Sequence, residues 1–78
     1  MQIDIKLFSR FREILPREAR GEATLELPQG ATVADLLDHL ALPSRVKLIT
    51  VGGAHVDDRE TILNEGDIVH IYPVVVGG

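Results

Sequence analysis

The chain has 78 residues, of which 45% are hydrophobic and 26% are charged, and its formal net charge is -4. That length allows one domain around a single core, and the composition is too apolar for a disordered protein. The absence of cysteine excludes disulfides, cysteine zinc sites and thiol nucleophiles, and the acidic balance argues against a nucleic-acid partner. Without a recognisable secretory signal or membrane-spanning stretch, we expect one cytoplasmic domain over residues 1–78.

The first strand and the short helix after it are predicted from the spacing of apolar residues, which changes from every second residue to helical spacing near residue 8. Residues 2–8 alternate polar and apolar side chains, which predicts a half-buried strand. A short helix of about two turns should follow, with Ser9 as its cap and Pro16 at its end. Its period is set by Phe11, Ile14 and Leu15.

The next part of the chain predicts a second strand and the main helix. Residues 22–28 alternate again, with an apolar face of Ala23, Leu25 and Leu27. Thr32 and Asp35 have the spacing of a capping box, and Pro43 should end the helix that they begin. Its buried stripe is predicted to be Val33, Leu36, Leu37 and Leu40.

The last third predicts three further strands. Residues 45–51 read as a strand turned by Gly52-Gly53, and a short strand follows around His55 and Val56. After the turn at 64–67, residues 67–73 read as the final strand. The order predicts an α+β fold, in which a mixed sheet of four to five strands packs on one main helix.

One helix covers one face of such a sheet, so the opposite face is expected to dock a partner. If Val69 and Ile71 point at the helix, period two places their neighbours on the outer face. We expect that face to present Phe8, Ile49, Ile68, His70 and Tyr72. Acidic residues concentrated over 57–67 allow two interpretations, a solvated surface of mixed charge or a rim that steers a basic partner.

Residues 74–78 are predicted to form an extended, flexible tail that also contacts a partner. Pro73 lacks an N–H and should mark where the sheet releases the chain, and the run Val74, Val75 and Val76 favours extended backbone. Gly77 and Gly78 can enter a slot too narrow for side chains. The carboxylate of Gly78 is a poor acyl donor until it is activated, for example by coupling to AMP. Because the chain has no cysteine, any carried sulfur would be a thiocarboxylate on Gly78.

The remaining candidate sites are not expected to carry chemistry. His39, His55 and His70 lie on different predicted elements without metal-ligand spacing, so no metal site is predicted. Gly52-Gly53 lacks the following helix of a phosphate loop. We therefore expect a carrier or co-substrate that binds no stable cofactor.

Four segments resemble the small ubiquitin-like sulfur carriers MoaD and ThiS. They are "KLFSRFREILP", "LPQGATVADLLDHL", "LITVGG" and "LNEGDIVHIYPVVVGG", and the last is the most specific. The resemblance implies a β-grasp fold and adenylation of Gly78 by an E1-like enzyme that uses ATP with Mg²⁺. It further implies a persulfide sulfur donor and an acceptor such as the large subunit of molybdopterin synthase.

Three departures from the family pattern keep alternative functions open. Gly52 stands where the family usually has Asn, Val74 replaces a proline of the MoaD tail, and residues 9–15 are generally missing from ThiS. The leading hypothesis is a sulfur carrier for molybdopterin synthesis. The alternatives are a carrier for thiamine or another metabolite, a protein modifier conjugated through Gly78, and a non-covalent binding module.

Overall fold

The computed structural model describes residues 1–42 and 45–74, which form a five-stranded sheet, one α-helix and two short 3-10 helices. The strands are β1 (Gln2–Leu7), β2 (Glu22–Glu26), β3 (Val46–Val51), β4 (Ala54–His55) and β5 (Ile68–Pro73), and the helix is α1 (Val33–Leu40). The sheet order is β2-β1-β5-β3-β4, with β1 and β5 parallel and the other pairs antiparallel. The predicted mixed α+β architecture is confirmed.

Helix α1 begins as its sequence predicts. The Asp35 N–H donates to Thr32 Oγ1 at 3.2 Å, and the Thr32 N–H donates to Asp35 Oδ2 at 2.9 Å, so both halves of the capping box are present. The helix ends through Ala41, whose φ is 48° and whose N–H donates to the Leu37 carbonyl at 3.2 Å. Pro43 lies outside the described residues, so its role in ending the helix stays a prediction.

The segment after β1 is helical, which confirms the predicted short helix of about two turns, but the expectation that Ser9 caps it is wrong. It forms two 3-10 helices, at Ser9–Ile14 and Arg17–Ala19. Ser9 has a φ of 52° and makes no capping bond, whereas Phe8 occupies the cap position. The segment has one fully buried anchor, Phe11, which a tight 3-10 turn suffices to place. Leu15 is extended, as a residue before proline should be.

The core lies between α1 and one face of the sheet. The inward side chains of the two central strands are almost completely buried, as their alternation predicts: Ile3, Ile5, Leu7, Val69 and Ile71. They pack with the buried residues Val33, Leu36, Phe11, Leu63 and Ile49. Ala23 and Leu25 of β2 are partly buried against this cluster, and Leu27 belongs to it. The core therefore leaves the other face of the sheet uncovered by α1.

The expectation that Ile49 lies on the outer face is wrong. Ile49 is 1% exposed and pairs with Ile71 in the core, whereas Leu48 pairs with Tyr72. The register between β3 and β5 shifts between Val46 and Leu48, which makes Lys47 the extra residue of a bulge. Because the bulge changes the phase of β3, Val46 and Ile49 both pack on the core although they are three residues apart.

Candidate docking surface and tail base

Two aromatic rings stack on the outer face of the two central strands. The centroids of Phe8 and Tyr72 are 4.1 Å apart, with 11° between the ring planes. His70 meets Phe8 edge-on at 5.5 Å, and the Lys6 ammonium lies 5.4 Å from the Phe8 centroid. We call Lys6, Phe8, His70 and Tyr72 the aromatic cluster. It combines a flat apolar centre with two polar groups at its border.

The strand register explains why these four side chains meet. Val69 and Ile71 are buried, so His70 and Tyr72 must point outward from β5. Lys6 pairs with His70 in the parallel ladder between β1 and β5. Just beyond β1, the Phe8 N–H donates to the Ile71 carbonyl at 3.2 Å and keeps the backbone in line with the strand. Stacking and edge contacts of this kind each contribute about 0.5–1.5 kcal/mol beyond burial.

Of the predicted outer-face residues, Phe8, His70 and Tyr72 are brought together, and Ile49 is not on this face. Ile68 is 51% exposed and shares the face, although four residues of extended chain separate it from Tyr72 by roughly 13 Å. Lys6 and Leu48 were missed by the sequence prediction. Lys6 could have been found, because it lies two residues before Phe8 in the alternation of β1. Leu48 could not, because its face depends on the bulge at Lys47.

The base of the tail remains paired for one residue longer than expected. Pro73 is buried and pairs with Val46, and the Val74 N–H donates to the Arg45 carbonyl at 2.9 Å. The part open to a partner therefore begins at the exposed Val74 and not at Pro73. Val75, Val76, Gly77 and Gly78 lie outside the described residues, and their predicted roles stay predictions.

Most carboxylates of the acidic segment 57–67 bind the backbone nearby. Asp58 accepts from the Glu60 N–H at 2.9 Å, and Asp67 accepts from the Asn64 N–H at 2.7 Å. Glu65 accepts from the Gln2 N–H at 3.1 Å. These contacts favour the interpretation of a solvated loop over that of a steering rim. The Gly52-Gly53 turn has φ values of 58° and 86°, as its predicted hairpin role requires.

The described residues contain neither a metal-binding cluster nor a membrane-spanning helix. Over residues 1–42 and 45–74, no three His, Asp or Glu side chains lie close enough together to hold a metal ion. Within the same ranges, no helix has the length and apolar character needed to cross a membrane.

The comparisons identify the class of protein that this fold and surface define. The family model described as the ThiS family matches residues 5–78, so the chain belongs to the ThiS family. This match extends through Gly78. A search of the curated proteins gives no match.

Solved structures place the chain among ubiquitin-like β-grasp proteins. A Pyrococcus furiosus protein described provisionally as molybdopterin converting factor subunit 1 is 27% identical, with a TM-score of 0.73, and the match covers 96% of this chain and 99% of that one. Small archaeal modifier protein 1 of Haloferax volcanii is 19% identical, with a TM-score of 0.73 and coverages of 95% and 98%. The complex of subunits 1 and 2 of the molybdopterin-converting factor from Helicobacter pylori contains a chain that is 19% identical, with a TM-score of 0.67 and full coverage of both chains. The last two likenesses show the fold alone.

Proposed function

We propose that this protein is a sulfur carrier that delivers sulfur from a thiocarboxylate on Gly78, in molybdopterin synthesis. A carboxylate oxygen of Gly78 attacks the α-phosphate of ATP, which Mg²⁺ accompanies in the active site of an E1-like enzyme, and pyrophosphate leaves. A persulfide donor then displaces AMP and forms an acyl disulfide. The new bond joins carbon to sulfur, and a second thiol then cleaves the S–S bond that came from the persulfide, so that the thiol and the donor form a disulfide and the thiocarboxylate stays on Gly78.

The observation that carries this proposal is the family match, which runs through Gly78 and includes β5, the strand that bears His70 and Tyr72 of the aromatic cluster. Tyr72 is two residues before Val74, whose N–H donates to the carbonyl of Arg45 just before β3. The four residues beyond Val74 can extend by at most roughly 14 Å. A partner that binds the aromatic cluster should therefore have its reactive centre within roughly 14 Å of Val74.

The choice of molybdopterin synthesis is supported by the Pyrococcus furiosus relative, whose description names a molybdopterin converting factor subunit. The Helicobacter pylori complex, which this chain resembles in fold alone, joins subunits 1 and 2, and we take a second subunit of this kind as the proposed sulfur acceptor. In that assignment the chain is the small subunit of a two-protein synthase. It supplies the sulfur, and its partners hold the catalytic groups.

A modifier is the second candidate function, and the likeness to small archaeal modifier protein 1 supports it at the level of the fold. Both functions, and a carrier for thiamine or another metabolite, begin with the same adenylate. They differ in what attacks the activated carbonyl, because sulfur produces a thiocarboxylate and a lysine amine produces an isopeptide bond. The product therefore separates them.

The test combines ATP–pyrophosphate exchange with intact-mass measurement. The full chain is incubated with a candidate E1-like enzyme from the same genome, first with ATP and Mg²⁺ and then with a persulfide donor and a thiol. A carrier should support exchange and gain the mass of one sulfur in place of one oxygen. A variant with one alanine added after Gly78 is the matched control, because its Gly78 carbonyl is an internal amide. If that variant exchanges as well as the native chain, Gly78 is not the activated residue.

A further inference from the structure

The cations of this chain are strongly biased toward arginine. The sequence contains six arginines and two lysines, Lys6 and Lys47, and all six arginines are exposed. A guanidinium does not lose its proton at physiological pH and is not a nucleophile, whereas a lysine amine becomes one when unprotonated. An acyl group activated on one copy can therefore be attacked by few groups on another copy. The three amines present are the amino group of Met1 and the side chains of Lys6 and Lys47.

The amino group of Met1 is held by the fold. It donates to the Leu27 carbonyl at 2.7 Å and lies 3.8 Å from a carboxylate oxygen of Glu26. Both contacts engage the amino group in interactions that join the ends of β1 and β2. To attack a carbonyl, this amine would have to break the hydrogen bond to Leu27.

The amine of Lys6 is held by the aromatic cluster. Lys6 is half-buried in a central strand, between Glu22 and His70 in the ladder, and its ammonium lies 5.4 Å from the Phe8 centroid. A cation over an aromatic face is favoured by the ring quadrupole. A partner that binds the aromatic cluster would also cover Lys6. This amine is therefore less available both in the free chain and in a complex.

Lys47 differs from both in its position. It is exposed, it is the extra residue of the bulge in β3, and its neighbour Val46 pairs with Pro73 at the base of the tail. The bulge directs the apolar neighbours of Lys47 to the core and to Tyr72, and leaves Lys47 outside the regular pairing. In the described residues, it is the one exposed lysine.

We propose that Lys47 is the site at which the chain accepts the activated Gly78 acyl group of a second copy, forming an isopeptide-linked dimer. The unprotonated Nζ of Lys47 attacks the Gly78 carbonyl carbon, a C–N bond forms, and the bond to the AMP or thiol leaving group breaks. The leaving group takes the electron pair, and the proton of the amine passes to solvent or buffer. No oxidant or reductant is needed. This inference rests on the proposed activation of Gly78.

The test uses the full chain with a Gly78 thioester made by thiol cleavage of an intein fusion, so it needs no activating enzyme. Because the chain has no cysteine, the acyl group cannot first move to a side-chain thiol. The thioester is incubated with underivatised chain, and dimers are mapped by trypsin, which cleaves after Arg45 and Arg59. Attachment at Lys47 should appear as peptide 46–59 with a branch of residues 60–78. Glycinamide added to a parallel sample confirms that the thioester reacts with amines.

We expect dimers whose yield rises with protein concentration and whose branch is mainly on Lys47. When the underivatised chain carries Lys47→Arg, most of the dimer should be lost. When it carries the matched substitution Lys6→Arg, the dimer should still form. Equal branching on Lys6 and Lys47, an undiminished yield from Lys47→Arg, or no dimer while glycinamide reacts would overturn the proposal. A monomer whose mass shows loss of the thiol without addition of water would also overturn it. That product is a chain in which an amine has attacked the Gly78 thioester of the same copy. Failure of adenylation in the exchange assay leaves this chemical result unaffected and counts against the proposed function alone.

Discussion

At the scale of single residues, Phe8 and Tyr72 show how a side-chain position follows from strand register. Their rings stack because both lie on the outer face of the central strands and because Phe8 remains aligned with β5 through its backbone bond to Ile71. Period two in β5 is enough to predict the outward position of Tyr72. Contact with Phe8 needed the parallel pairing of β1 with β5, which alternation within one strand does not specify.

Replacing Tyr72 with Asp tests whether the aromatic cluster binds the activating enzyme. The change removes the stack and puts a charge at its centre, so Kd should rise about 30-fold, a loss of about 2 kcal/mol typical of an aromatic interface residue. The chain should remain folded, because Tyr72 is outside the core, and its free energy of unfolding should fall by about the 0.5–1.5 kcal/mol of the lost stack. Titration calorimetry measures the binding. Tyr72→Phe, which retains the ring, is the control, and normal binding by Tyr72→Asp would show that the cluster is not the docking site.

The paired substitutions Ile49→Ala and Leu48→Ala test which residue of β3 belongs to the core. Ile49 is 1% exposed, so its truncation should lower the free energy of unfolding by about 2–5 kcal/mol. Leu48 is half-buried on the other face, so the same truncation should cost clearly less. Denaturant unfolding of both variants gives the comparison. A larger loss for Leu48→Ala would mean that the bulge at Lys47 is misplaced.

At the scale of elements, the parts predicted correctly are those whose signals are local. The capping box of α1 involves Thr32 and Asp35 within one turn, and both of its bonds are present. The 3-10 geometry of Ser9–Ile14 and the bulge at Lys47 depend on distant packing instead. In β3, both alternating sets of residues contain apolar side chains, so period two could not decide which set faces α1.

Thr32→Ala should lower the free energy of unfolding by about 1 kcal/mol. The substitution removes the oxygen that accepts the Asp35 N–H and leaves the first turn of α1 without that cap. Thr32→Ser retains the oxygen and should recover most of the loss. Urea denaturation followed by circular dichroism measures both variants. If Thr32→Ala and Thr32→Ser are equally stable, the capping box does not contribute to the fold.

At the scale of the whole molecule, the fold and the proposed chemistry occupy different parts of the chain. The described residues contain the core cluster and the five-stranded sheet, and the last backbone bond described beyond β5 is that of Val74 to Arg45. The fold class could be predicted because five predicted strands, one main helix and a short helix after the first strand leave few architectures. The chemistry of Gly78 could be proposed from its residue type and the family, but its partner is not encoded in the packing of this chain.

Deleting Gly77 and Gly78 tests the central claim that these residues carry the function without supporting the fold. Neither has a side chain to bury, so the free energy of unfolding should change by only a few tenths of a kcal/mol. ATP–pyrophosphate exchange should be abolished, because the new terminus at Val76 places a branched side chain where the activating enzyme is expected to accept glycine. Gly77→Ala, which retains the carboxylate, should be intermediate.

The most direct measurement is pyrophosphate exchange by the truncated and native chains with the same activating enzyme, followed by intact-mass analysis after a persulfide donor is added. The account predicts that the native chain exchanges and gains sulfur, while the equally stable truncated chain does neither. A truncated chain that still supports exchange and gains sulfur would contradict the assignment of Gly78 as the carrier residue.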